Sequence, residues 1–171
     1  MSCHESIPKT VEHCLQYSWG SEADTAAFAQ RLSRAPQLRD ATVELRGDLG
    51  AGKTTLVRHL LRALGVAGRI KSPTYALVEP YQASGGWPIF HFDFYRFGDP
   101  REWADAGLRD LYAGPGLKLA EWPEQAAGVL PAPDLAICIG VGADERRGVT
   151  VQARTARGRA LLQMLESTPA T

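Results

Sequence analysis

Residues 47–54 read Gly-Asp-Leu-Gly-Ala-Gly-Lys-Thr, which satisfies the full phosphate-binding pattern G-x-x-x-x-G-K-[ST]. The glycines allow the backbone to curl so that successive N–H groups point at phosphate oxygens. Lys53 is expected to reach the β- and γ-phosphates, and the Thr54 hydroxyl is expected to ligate Mg²⁺. The positive end of the following helix dipole favours the same anion. This stretch therefore predicts a nucleoside triphosphate and its metal ion as the ligand.

The segments on either side of this loop have the patterns that such a loop requires. Residues 42–46 alternate apolar and polar side chains, which is typical of a strand. Residues 56–64 place leucine and valine at helical spacing, and Gly65 suits the position just after the helix end. A strand, a glycine-rich turn and an amphipathic helix therefore follow one another, which favours a ligand-binding loop over a plain surface loop.

Composition limits the functional classes. The chain has 171 residues, with 19 basic and 19 acidic side chains and a formal net charge of zero. This balance argues against a protein that works by attraction to nucleic-acid phosphates alone, so any nucleic acid is expected to be handled mainly by a partner. The three cysteines are too few and too dispersed for a disulfide framework. Because no apolar run is long enough for a membrane span or a signal peptide, we expect a cytoplasmic protein.

The order of elements predicts an α/β, single-domain P-loop NTPase-like fold with a mixed, largely central β-sheet flanked by helices. Residues 1–18 are predicted to be a weakly ordered N-terminal extension, residues 19–166 the P-loop domain and residues 167–171 a C-terminal tail. The apolar segments 76–81 and 89–93 are joined by a short turn that contains two glycines. A parallel pair needs a dozen or more residues of crossover, so these two strands are predicted to be an antiparallel hairpin.

Two carboxylates qualify as the acid that a triphosphate site needs near Mg²⁺, usually at the end of an apolar strand. Asp93 follows the apolar segment 89–92, and Glu121 follows residues 117–120. Thr74 is a third candidate, because a threonine on a mobile loop can ligate the metal and couple loop order to the bound nucleotide. His91 lies within the apolar strand and is interpreted as a hydrogen-bonded packing residue outside the site.

The sequence also bears on the nucleobase of the expected ligand. The chain contains no asparagine, so the N-K-x-D motif with which GTPases read guanine is not present. Adenine is therefore favoured.

The sequence contains four motifs, at residues 47–55, 71–81, 91–96 and 121–123. Together, in one order and with similar spacing, they resemble those of the bacterial TsaE (YjeE) family. Members are small P-loop ATPases needed to make threonylcarbamoyladenosine beside the anticodon of tRNAs that read codons beginning with A. The resemblance implies ATP and Mg²⁺ as cofactors, the TsaD–TsaB complex as partner, tRNA contacted only through that complex, and neither membrane nor DNA as a partner. The resemblance runs from about Trp19 to the strand near Val151.

The resemblance also implies a role for each matching position. Lys53 corresponds to the phosphate lysine, Asp93 to the Walker B-like acid and Glu121 to a second metal-side acid involved in hydrolysis. Trp122 becomes an aromatic beside the site, Thr74 part of a switch-like loop, and Ser21 part of the adenine-side segment. The implied nucleotide-binding set is Ser21, Asp48, Gly50, Ala51, Gly52, Lys53, Thr54, Thr55, Thr74 and Trp122; the metal ligands are Thr54, Asp93 and Glu121; and the catalytic residues are Lys53, Asp93 and Glu121.

The leading hypothesis is a slow, partner-regulated ATPase that serves tRNA modification. No arginine can be assigned from the sequence as a finger, so the isolated protein is expected to hydrolyse ATP weakly. A small-molecule kinase is one alternative, although its usual arginine-rich lid is not evident and Arg147 is predicted to lie in a hairpin turn. A non-catalytic factor whose assembly is gated by ATP is the other alternative.

Overall fold

The computed structural model describes residues 13–73, 76–105 and 107–167. Its strands are β1 (Cys14–Trp19), β2 (Thr42–Arg46), β3 (Val78–Gln82), β4 (Pro88–Asp93), β5 (Leu117–Glu121), β6 (Leu135–Val141) and β7 (Arg147–Ala153). Its α-helices are α1 (Glu22–Ser33), α2 (Lys53–Ala63), α3 (Pro100–Asp105), α4 (Leu108–Ala113) and α5 (Ala156–Ser167), and 3-10 helices span Pro36–Asp40 and Pro123–Ala126.

All seven strands form one mixed sheet in the order β1-β7-β6-β2-β5-β4-β3. The four central strands, β6, β2, β5 and β4, are parallel to their neighbours within that group. The outer strands β7, β1 and β3 pair antiparallel. The predicted mixed sheet and the predicted β3–β4 hairpin are therefore confirmed.

The start of the chain differs from the prediction. Residues 14–18, expected to be part of a weakly ordered extension, form β1 together with Trp19 and pair with β7. Leu15, Tyr17 and Trp19 alternate with Gln16 and Ser18, which is the pattern of a strand with one buried face. The prediction for these residues was wrong, and the alternation was a signal that could have revealed the strand. Residues 1–12 lie outside the described part of the chain.

The sheet carries a different core on each face because successive strand residues point to opposite sides. Helices α1, α2 and α5 contribute buried residues such as Phe28, Leu60 and Leu161 to the larger core. The opposite face, beside β4, holds an aromatic cluster with Phe92 at its centre. The ring centroid of Phe92 lies 5.0 Å from that of Tyr112 and 5.8 Å from that of Phe94.

Parallel pairing brings the functional segments to one edge of the sheet. The phosphate loop follows the carboxyl end of β2, and β2 pairs parallel with β5. Asp93 and Glu121 are the last residues of β4 and β5 and are direct register partners. Ligands of open α/β sheets bind at the carboxyl ends of the strands, so the fold collects these groups where a ligand is expected.

In the part of the chain that the structure describes, no helix combines the length and apolar character needed to cross a membrane.

The seating of α5 gives a testable prediction about stability. A Cβ atom added at Gly158 would lie 1.9 Å from the backbone oxygen of Asp134, at the entrance to β6. Gly158→Ala must therefore displace the helix, which we expect to reduce the free energy of unfolding by roughly 1–3 kcal/mol. The corresponding fall in Tm is about 2–10 °C. Gly98→Ala is the control, since a Cβ there meets no atom within 4 Å. Equal melting curves for the two variants would contradict the close approach.

Candidate nucleotide-binding site

Glycines give the phosphate loop its shape. Gly47 (φ 150°) and Gly52 (φ 111°) adopt backbone conformations that L side chains rarely reach. Gly47 is also packed closely, since a Cβ there would lie 2.4 Å from the backbone oxygen of Ile139. Lys53 begins α2 directly after this turn, so the helix N-terminus faces the loop, as phosphate binding requires.

The Lys53 ammonium lies inside the loop. Lys53 is 4% exposed, and its Nζ donates hydrogen bonds to the backbone oxygens of Gly47 and Asp48, the latter at 3.0 Å. Nζ also lies 4.0 Å from the centroid of the Trp122 ring, a cation–π contact. Burial lowers the pKa of Lys53, and the charge of Glu121 opposes that shift. A buried cation held beside a curled backbone is prepared to receive a polyphosphate.

Trp122 reaches this position through an unusual backbone conformation. Its φ of 54° makes it one of two non-glycine residues with positive φ in the described part of the chain. Its ring also packs against Tyr95, with the centroids 5.0 Å apart. Strained conformations outside glycine concentrate at functional sites, and this one holds the indole over the Lys53 ammonium.

Oxygen ligands meet beside the start of α2. The Thr54 Oγ1 hydroxyl donates a hydrogen bond of 2.8 Å to Glu121 Oε1. Asp93 pairs with Glu121 across the strands, and its Oδ1 accepts a hydrogen bond of 2.9 Å from the Tyr95 backbone N–H. Burial raises the pKa of Asp93, that hydrogen bond opposes the rise, and the charge of Glu121 adds to it. Two neighbouring carboxylates at a partly buried position favour the binding of a cation.

The chemistry of these groups fits Mg²⁺ bound together with a nucleotide. Mg²⁺ prefers oxygen ligands and is usually held by one or two carboxylates together with substrate phosphates, not by an all-protein cage. Thr54, Asp93 and Glu121 supply two carboxylates and a hydroxyl. Among the described residues no group of three or more His, Cys, Asp or Glu side chains could hold a metal by itself.

A cavity of about 520 Å³ lies over the loop, within the range of roughly 300–1,000 Å³ typical of small-molecule sites. Two large apolar residues at its edge are unusually exposed, Leu49 at 80% and Tyr95 at 49%. Of the predicted site residues, those that line the cavity are Gly50, Gly52, Lys53, Thr54, Thr55, Asp93, Glu121 and Trp122.

The remaining predicted residues have other positions. Asp48 and Ala51 are part of the loop but do not line the cavity; Asp48 takes part through its backbone oxygen, and Ala51 is buried. Ser21 caps α1 through a capping box with Asp24 and does not line the cavity. Its assignment to the adenine side therefore stays a prediction. Thr74 lies outside the described residues.

Two further residues make contacts near the site, and one of them, Arg147, differs from its prediction. Arg147, expected in a turn, is the first residue of β7; it lines the cavity and donates from Nε to the Ala51 backbone oxygen at 2.8 Å. His91, expected to be a hydrogen-bonded packing residue, is buried and hydrogen-bonded as predicted, with Nε2 2.5 Å from Glu121 Oε2. Both contacts join residues far apart in the sequence, so no local pattern indicates them.

Comparison with known proteins identifies similar chains. The family model described as "Threonylcarbamoyl adenosine biosynthesis protein TsaE" matches residues 19–149. The tRNA threonylcarbamoyladenosine biosynthesis protein TsaE of Haemophilus influenzae is 41% identical over 135 residues, which cover 79% of this chain and 84% of that protein. The protein of the same name from Bacillus subtilis is 36% identical over 130 residues, covering 76% and 80%. A crystal structure of Bacillus subtilis YdiB superimposes with a TM-score of 0.71 at 28% identity, covering 90% of this chain and 94% of that one.

Proposed function

This chain belongs to the TsaE family of tRNA threonylcarbamoyladenosine biosynthesis proteins, and from that premise we propose that it is a slow Mg²⁺-dependent ATPase. ATP binds in the cavity over residues 47–54, and its hydrolysis serves the TsaD–TsaB complex. The observation that carries this proposal is the convergence of four side chains at one sheet edge. Lys53 Nζ lies within the loop, the Thr54 hydroxyl is bonded to Glu121, and Asp93 is the register partner of Glu121.

We assign each of these residues a separate role in hydrolysis. Lys53 and the loop N–H groups bind the phosphates and stabilise the charge that develops on them. Thr54, Asp93 and Glu121 would hold Mg²⁺, which when bound would neutralise phosphate charge. Glu121 orients the attacking water and accepts its proton as the new oxygen–phosphorus bond forms and ADP leaves.

A slow rate and dependence on a partner are also part of the proposal. An arginine that stabilises the transition-state charge is worth roughly 10³–10⁵ in rate. Arg147 lines the cavity, but its Nε is bonded to the Ala51 backbone oxygen, so part of its guanidinium is already committed to the loop. The exposed Leu49 and Tyr95 at the cavity edge are suited to contact with another protein. Docking of the TsaD–TsaB complex at that edge accounts for regulation of turnover at the site.

A reconstituted assay tests the function. Purified chain added to a threonylcarbamoylating mixture of TsaC-type enzyme, TsaD–TsaB, tRNA and ATP is expected to raise the number of product turnovers per complex well above one. In a second stage of the assay, ATP is replaced by a non-hydrolysable analogue after the threonylcarbamoyl donor has been made. Product formation is then expected to stop after about one turnover per complex. Sustained modification with the analogue would favour the assembly-gating alternative. Equal product with and without the chain would contradict the proposal.

A further inference from the structure

We propose that His91 is a positioning residue that fixes the Glu121 carboxylate, a role that rests on the function proposed above for Glu121. The two side chains lie on adjacent parallel strands, β4 and β5, with His91 Nε2 2.5 Å from Glu121 Oε2. An ionised carboxylate can only accept, so Nε2–H is the donor. His91 is 1% exposed and Glu121 is equally buried, so this contact is shielded from water.

The two carboxylate oxygens of Glu121 accept hydrogen bonds from different side chains. Oε2 accepts from His91, while Oε1 accepts from the Thr54 hydroxyl at 2.8 Å. Oε1 therefore faces the start of α2, where phosphate and Mg²⁺ are expected, and Oε2 faces the protein interior. A carboxylate held at one oxygen keeps the other in a defined direction, as partners behind metal ligands commonly do.

The other nitrogen of His91 argues against a packing role. Nδ1 is buried and has no hydrogen-bond partner among the residues that the structure describes. A buried polar atom without a partner is destabilising, so an apolar side chain like those of its strand neighbours Phe90 and Phe92 would suit packing alone better. The energetic cost of burying Nδ1 without a partner is explained if the hydrogen bond from Nε2 to Glu121 is required for function.

Two substitutions of His91, by glutamine and by methionine, test this role because they differ in the presence of an N–H donor and hardly in size. Glutamine has an N–H donor near the place of His91 Nε2, whereas methionine has similar length and no donor. We expect His91→Met to lower kcat for ATP hydrolysis by about 10–100-fold with KM for ATP changed less than about threefold. His91→Gln is expected to recover most of that loss. His59→Ala is the matched control, because His59 Nε2 also lies 2.9 Å from a glutamate, Glu22 Oε1, but on the surface outside the cavity.

A second measurement does not depend on turnover. The Mg²⁺ concentration that gives half-maximal calorimetric binding of ADP is expected to rise by about 10–100-fold in His91→Met and to return toward the wild-type value in His91→Gln. The Tm of each variant is measured in parallel as a control for folding.

Wild-type kcat and Mg²⁺ dependence in His91→Met would overturn the inference, and so would equal losses in the two variants. If the methionine variant does not fold, the glutamine variant still decides, because loss of its activity at an unchanged Tm contradicts the donor role. Failure of the proposed function looks different: the wild-type chain itself would then neither bind nor hydrolyse ATP. If Glu121→Gln lowers kcat but substitutions at His91 do not, this inference is overturned and the proposed function stands.

Discussion

Replacement of Lys53 by methionine is expected to remove ATP hydrolysis and to weaken nucleotide binding by about 30-fold to several thousandfold. This range corresponds to about 2–5 kcal/mol, the usual cost of truncating one partner of a buried charge pair. The physical reason is the position of the ammonium, which lies inside the loop and is held by the backbone oxygens of Gly47 and Asp48. Titration calorimetry with Mg²⁺ and ADP or ATP measures the loss.

The structure provides a matched control for this variant. Lys118 is also 4% exposed, and its Nζ donates a 2.6 Å hydrogen bond to the Gly114 backbone oxygen at the other end of the sheet. Burial lowers the pKa of both lysines, so either variant removes a buried charge. Lys118→Met is therefore expected to change stability while leaving nucleotide affinity unaltered. Wild-type affinity in Lys53→Met, or equal losses in the two variants, would refute the assignment of the phosphate lysine.

Glu121→Gln is expected to reduce kcat by about 10²–10⁴-fold, the usual contribution of general acid–base catalysis. The amide keeps the size of the side chain. Its carbonyl oxygen can accept from His91 Nε2–H, and its NH₂ group can donate to the Thr54 hydroxyl, which is able both to donate and to accept, so the packing of the site is largely retained. Affinity for ATP at saturating Mg²⁺ is expected to change by less than about threefold, because Lys53 and the loop N–H groups are untouched. Single-turnover hydrolysis together with equilibrium binding separates the two effects.

Glu124→Gln removes the same charge from an exposed residue of the neighbouring 3-10 helix, three positions along the chain. Its kcat is expected to match the wild type, because screening by water weakens the interaction of exposed charges with the site. If both glutamine variants lose the same fraction of activity, net charge is responsible and Glu121 has no specific catalytic role.

Local patterns predicted the ligand-binding loop and much of the fold. The glycines of residues 47–54 need positive φ, and both Gly47 and Gly52 have it. The short connection between β3 and β4 leaves only an antiparallel pairing, which the structure confirms. Asp93 and Glu121 were identified because each ends an apolar strand, and both line the cavity. The predictions of the fold are confirmed because the steric rules of turns and the periodicity of strands act over a few residues, whereas the roles of Asp93 and Glu121 stay predictions.

Long-range pairing decided the remaining features. Strand β1 is placed in the sheet by β7, with Leu15 opposite Val151, and an isolated six-residue segment has no stable pairing of its own. Arg147 reaches the phosphate loop because β7 folds back beside β6. The imidazole of His91 meets Glu121 only after β4 and β5 align.

By itself, then, the sequence predicted the glycine-rich loop at residues 47–54 and the ligand class that we propose for it. Loop closure and strand alternation are properties of neighbouring residues, so their outcome is encoded locally. Only the tertiary structure decided which side chain contacts Glu121 from the protein interior and that Arg96 and Arg147 both line the cavity. The register between strands sets those distances, and register depends on the packing of the whole sheet.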